Sequence, residues 1–132
     1  MATGCVERSQ PCRAPRRALR SPPRSWALAP AVQLSETPVA QSIVRTSDAD
    51  AIAQLDLPGV CELRRHDGEV AVWLGPTEWL LYCEGVSGHD FVDDVVSRAG
   101  DNAYVMDATG QRARLVLGGP RARTILAHGC EI

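Results

Sequence analysis

The spacing of hydrophobic and polar positions changes several times along the chain, and each change marks an element. Ala40-Gln41-Ser42-Ile43-Val44-Arg45 alternates as a strand does. Ser47 then stands where a helix N-cap belongs, with Asp50 three residues on as its capping-box partner. Asp48 and Asp50 also suit the positive end of a helix dipole. The helix so predicted, 48–55, carries Ala49, Ile52, Ala53 and Leu55 as its apolar set and stops at Asp56-Leu57-Pro58-Gly59. Two strand-like runs, 60–65 and 69–74, flank Asp67-Gly68, a strong tight-hairpin signal. Val70, Val72 and Leu74 would share one face, Ala71 and Trp73 the other. After the break at Gly75-Pro76-Thr77, residues 78–83 are apolar on both faces (Trp79, Leu81 and Cys83 against Leu80 and Tyr82). That pattern predicts a central strand covered on both sides.

Residues 90–98 return to a helical period, with Phe91, Val92, Val95 and Val96 apolar and Gly100 placed to cap the C-terminus. Runs 103–108 and 112–117 are expected to pair as a hairpin turned at Thr109-Gly110, with Ala113, Leu115 and Leu117 inward. Pro120 suits a first helical turn, so a last helix is predicted over 120–128, with Ala122, Ile125 and Leu126 inward and Gly129 closing it. The order β-α-β-β-β-α-β-β-α, with its paired hairpins, argues for an α+β fold: a mixed or antiparallel sheet with helices packed on it.

Composition changes the picture at the N-terminus. Residues 1–30 are rich in Arg, Pro, Ala and Ser and show no hydrophobic period, so they cannot bury enough apolar surface to offset their ordering entropy. The ordered part is expected to begin near Val39. Residues 1–38 therefore read as a disordered Arg/Pro-rich tail and 39–132 as the domain. The formal charge of −2 hides six arginines against one acid in residues 1–25, which leaves the remainder acidic. Near-balanced charge argues against a dedicated nucleic-acid binder. No apolar run reaches the roughly 20 residues a membrane span needs. Arg16-Arg17 is not followed by the apolar stretch of an export signal, because Arg20, Pro22, Pro23 and Arg24 occupy that place. Five cysteines, an odd number without a C-x-x-C, support neither a disulfide framework nor a structural zinc site, and a reducing cytoplasm follows.

The search for chemistry assigns no catalytic, cofactor-binding or metal-ligating residue. Gly118-Gly119 lacks the spacing of a phosphate-binding loop and reads as a tight turn. His66, His89 and His128 stand at a turn, a helix start and a helix end, none at metal-ligand spacing. Cys61 and Cys83 read as small hydrophobes, while Cys130, just past a helix end and near Arg121 and Arg123, is the one candidate reactive thiol. Asp93 and Asp94 are neighbours on a helix and face different ways, Asp107 sits at a strand end, and Glu78 at a strand start. Trp73 and Trp79 flank the Gly-Pro break, where they suit either core packing or a ligand or partner surface.

Two segments carry more than class-level information. One is Val72-Trp73-Leu74-Gly75-Pro76-Thr77-Glu78-Trp79-Leu80-Leu81. The other is Leu115-Val116-Leu117-Gly118-Gly119-Pro120-Arg121-Ala122-Arg123, continued by Leu126-Ala127-His128-Gly129-Cys130. Between them lies Val105-Met106-Asp107-Ala108-Thr109. In this order and separation they resemble the gamma subunit family of heterotetrameric sarcosine oxidase, whose pattern runs L-G-P-D-E-W-L-L, V-D-x-[ST], L-x-G-P-x-A-R and K-G-C. The resemblance covers about residues 39–132. Thr77 stands where Asp is usual, Gly118 where Ser is common, and His128 where Lys is frequent.

The resemblance implies a fold related to the folate-binding aminomethyltransferase domain of the glycine-cleavage system. It implies a non-catalytic assembly subunit of a complex that oxidises sarcosine to glycine and formaldehyde, or to methylenetetrahydrofolate when tetrahydrofolate captures the carbon. FAD, FMN, NAD and tetrahydrofolate would belong to partner subunits, and the partners would be the larger alpha and beta subunits and the small delta subunit. The family continues for several tens of residues past the Gly-Cys element and has no arginine-rich leader, so a C-terminal truncation and an upstream mis-start are expected. The alternatives are a stand-alone folate-binding or aminomethyl-transfer protein on the same fold, and a degenerate fragment.

Overall fold

A computed structural model describes residues 24–29 and 32–130. Among these residues eight strands and three α-helices follow one another: β1 (Arg24–Ala29), β2 (Val32–Glu36), β3 (Val39–Arg45), α1 (Ala49–Gln54), β4 (Leu63–His66), β5 (Glu69–Gly75), β6 (Glu78–Glu84), α2 (Gly88–Ala99), β7 (Tyr104–Asp107), β8 (Leu115–Gly118) and α3 (Ala122–Gly129). They form two antiparallel sheets. The larger has the order β4-β5-β6-β3-β7 and the smaller β1-β2-β8.

In the larger sheet the pleat sorts side chains cleanly. Ala40 and Val44 of β3, opposite Cys83 and Trp79 of β6, join Leu81, Ala71 and Val105 on the side covered by α2. Phe91, Val95 and Ala99 recur on α2 at helical spacing and complete this core. Full burial of a side chain such as Phe91 or Leu81 stabilises by about 1.5–3 kcal/mol, so this layer dominates the fold. The other face carries a row in register across five strands, Leu63-Val72-Leu80-Ile43-Met106. Ile43 is buried there, Val72, Leu80 and Met106 half-buried, and Leu63 exposed. β6 is therefore central, as predicted, but its second face is only half covered.

Local chemistry accounts for the element ends. Both central residues of the β4–β5 turn, Asp67 (φ 45°) and Gly68 (φ 85°), are left-handed, as a type I′ hairpin requires. α1 is capped by Asp48, whose carboxylate accepts from Ala51 N at 2.9 Å, so the cap lies one residue later than Ser47. α2 begins at Gly88 rather than near Asp90, because Ser87 Oγ accepts from Asp90 N at 3.2 Å and donates to Asp90 Oδ2 at 2.7 Å. Gly100, at φ 66°, ends it as expected. Pro120 lies two residues ahead of α3 rather than in its first turn, and the N-cap Arg121 makes no side-chain capping bond.

Two further expectations are corrected. Residues 103–108 and 112–117 do not form a hairpin: β7 pairs with β3, and β8 pairs with β2 in the other sheet. Strand pairing here is non-local, and periodicity carries no information about it. The tail expected over 1–38 does not hold for all of its described residues. β1 and β2 occupy residues 24–29 and 32–36 of it, with Val32 buried; residues 1–23 lie outside the described residues.

Candidate functional site

The two motifs resolve into geometry. In the first, Trp73 and Trp79 stand opposite one another on β5 and β6, and a register shift then brings Gly75 opposite Glu78. Pro76 and Thr77 make the tight turn between them. Trp79 is buried and donates its indole N–H to Pro58 O at 2.9 Å, while Trp73 packs partly buried against the same core. Both therefore serve packing rather than an open surface. Thr77 O accepts from Thr46 N at 3.1 Å and Glu78 pairs with Arg45 at 2.9 Å, which pins the turn to the end of β3. In the second motif, Gly119 at φ 106° reverses the chain between β8 and α3, a conformation that favours glycine.

The Asp107-Ala108-Thr109 element also acts structurally. Asp107 Oδ1 accepts from Thr109 N at 2.8 Å. Thr109 Oγ1 accepts from Gln41 N at 2.9 Å and donates to Gln41 O at 3.3 Å, so a hydroxyl continues the ladder where β7 leaves β3. Gly88 lies so close that a Cβ there would fall 2.5 Å from Thr109 Oγ1. The sequence marks Thr109 as a turn residue, and nothing local reveals its partner 68 positions away.

The remaining candidates are dispersed. His66 lies 3.3 Å from Asp67 and His89 3.4 Å from Asp93, all on exposed side chains; His128 is exposed on α3. Cys61 and Cys130 are exposed and Cys83 is buried in the core. Among the described residues, no group of His, Cys, Asp or Glu side chains could hold a metal ion. No helix among them is long and apolar enough to cross a membrane.

Sequence reasoning missed two charged arrangements. Arg98 of α2 bonds Glu69 of β5 at 2.5 Å and Asp94 at 3.0 Å, tying helix to sheet. Burial alone would lower the Arg98 pKa, but the bond and charge of Glu69, then Asp94, outweigh it and the net direction is up. Arg114 pairs with Glu84 and places its guanidinium 5.4 Å from the Tyr82 ring centre. These residues, with Arg65, His66 and Val70, line an open cleft of about 700 Å³ beside the β4–β5 turn. Glu69 and Glu84 are each committed to an arginine there.

A different region is chemically unsatisfied. β8 is the outer strand of its sheet, and along it Leu115 is 57% exposed and Val116 41%. α3 buries no residue, and its Ile125 and Leu126 are 45% and 40% exposed. The inward packing expected for Leu115, Ile125 and Leu126 is thus not made within the described residues. Leu115 and Val116 follow one another on the strand and so face opposite sides of it, and Ile125 and Leu126 add exposed apolar positions on α3.

Neither a protein-family model nor a curated protein matches the chain. Among solved structures, it is similar to a chain of heterotetrameric sarcosine oxidase from Corynebacterium sp. U-96, determined in complex with pyrrole 2-carboxylate. The TM-score is 0.66 and the identity 29%, over 80% of this chain and 59% of that one. The chain thus spans about three-fifths of the length of the oxidase chain it matches.

Proposed function

We propose that this chain is a non-catalytic assembly subunit of a sarcosine-oxidase-type complex, the counterpart of its gamma subunit. The observation that carries this reading is the agreement in fold and sequence with a heterotetrameric sarcosine oxidase chain. The residues of the gamma-type motifs support it, because they form turns and packing contacts here. On this reading the complex works in the cytoplasm. FAD, FMN, NAD and tetrahydrofolate are held by the larger alpha and beta subunits, the small delta subunit is a further partner, and the fold is of the aminomethyltransferase type.

Tagged chain, expressed together with the large subunits of the sarcosine oxidase of its own organism, is expected to bring down flavin and sarcosine-dependent activity. A chain that elutes alone at every stage would overturn the proposal. Tetrahydrofolate titrated into the isolated chain should give no saturable calorimetric signal; saturation would instead support a folate-binding protein in its own right.

A further inference from the structure

Two chain connections join the sheets: the link 37–38 between β2 and β3, and the strap 108–114 between β7 and β8. The strap is fastened at both ends and between them. At its start, Ala108 N donates to Gln41 O at 2.9 Å and Thr109 Oγ1 accepts from Gln41 N at 2.9 Å. Further along, the Gln41 side chain, on a residue only 4% exposed, donates from Nε2 to Arg112 O at 2.9 Å. At its end, Arg114 O accepts from Thr37 N at 3.1 Å, which ties the strap to the other connection. The Arg114 guanidinium also pairs with Glu84 and lies over the Tyr82 ring of β6.

Apolar burial is distributed differently from these polar ties. The core lies in the larger sheet, α1 and α2, and none of its members belongs to β1, β2 or β8. Among the described side chains of the smaller sheet, Val32 alone is buried. Local opening follows the least buried set of contacts, and a net hydrogen bond contributes less than a fully buried large side chain. We infer that the strap is a clasp. When the Gln41–Arg112 bond and the Arg114 contacts release, β1, β2 and β8 open as one unit while the larger sheet and α2 keep their structure. Thr109 marks the fixed end, because its hydroxyl bonds the Gln41 backbone at the end of the β3–β7 ladder; the chain bends beyond it at Gly110 and in the link 37–38. Opening withdraws Arg114 from Tyr82 and Glu84 and so widens the cleft beside the β4–β5 turn that all three line.

The test is amide hydrogen exchange of the full chain. In the wild type, residues 33–36 and 115–118 are expected to exchange about tenfold or more faster than residues 80–83 of β6, once intrinsic rates are divided out. Gln41→Met keeps the side-chain volume and removes the donor, which leaves Arg112 O without its partner in the closed form. It should speed exchange at 33–36 and 115–118 by about tenfold and leave residues 80–83 and 91–99 unchanged. Arg114→Ala, at the other end of the strap, should act on the same segments by about threefold. Arg114→Ala decides the matter if Gln41→Met fails to fold, and the wild-type comparison decides it if both do. Equal acceleration in the core segments would mean that the two sheets open only with the whole molecule, and would overturn the clasp. Unchanged exchange at 33–36 and 115–118 in the folded variants, or equal protection of the two sheets in the wild type, would overturn it as well.

Discussion

Ser42 lies in the middle of β3 with its hydroxyl buried and, among the described residues, without a hydrogen-bond partner. Leu81 stands opposite it on β6, and its β3 neighbours on the same face are Ala40 and Val44. A desolvated hydroxyl in such surroundings costs free energy that a methyl group does not. Ser42→Ala is therefore expected to stabilise the chain by about 1 kcal/mol, read as a higher midpoint in urea at unchanged slope. Gly88 gives the opposite outcome. Helix propensity alone favours alanine there by about 1 kcal/mol. The added Cβ, however, would drive into Thr109 and break its bonds to Gln41. Gly88→Ala should destabilise by about 2 kcal/mol, and a cycle with Thr109→Ala should be strongly non-additive. Both positions show where reading the chain stops. Ser42 was legible as a strand residue, whereas Gly88 lies ahead of the helix expected over 90–98 and in fact opens α2; the cost of one and the need for the other depend on neighbours distant in sequence.

Helix ends test the same point between adjacent residues. Ser47 fits the capping pattern, yet Thr46 turns its hydroxyl to accept from Asp48 N at 3.0 Å and donate to Asn102 O at 2.7 Å, and the cap passes to Asp48. Asp48→Ala should cost about 1 kcal/mol and Ser47→Ala less than about 0.5 kcal/mol, measured by denaturant unfolding. The pairing of α2 with the sheet through Arg98 is expected to contribute about 1–2 kcal/mol, a value reduced by the partial exposure of the guanidinium. The folded-state pKa of Arg98 is raised, so its contribution is full at any pH below the ordinary arginine value and declines only above it. Arg98→Ala should therefore lower stability equally at pH 7 and pH 9. Elements with short-range signals were legible: the Asp67-Gly68 hairpin, the alternation of β3, the apolar period of α2 and its glycine stop. β1 and β2 were hidden under an arginine- and proline-rich composition. The partners of β7 and β8 were not encoded locally, since alternation says that a segment is a strand and not what it lies beside.

At the scale of the molecule, stability is unevenly placed. The core joins the larger sheet, α1 and α2, while α3 adds no buried residue to it. A chain ending at Arg121 is expected to unfold within about 1 kcal/mol of the full one by thermal circular dichroism. The fold class was legible because paired strands and helices alternate along the chain; the open surface was not, because the same apolar period reads as inward packing whether or not a second layer is present. The register of β2 with β8, from Glu36 opposite Leu115 to Gln33 opposite Gly118, has a temporal consequence. β2 leaves the ribosome long before its partner, and at about 5–20 residues per second the gap between residues 36 and 118 lasts roughly 4–16 s. Throughout that interval the β1–β2 ribbon has an open side, while the larger sheet completes itself with β7. The smaller sheet is thus the last to close during synthesis, and the nascent chain's vulnerability to chaperone capture or misassociation is concentrated at its N-terminal end.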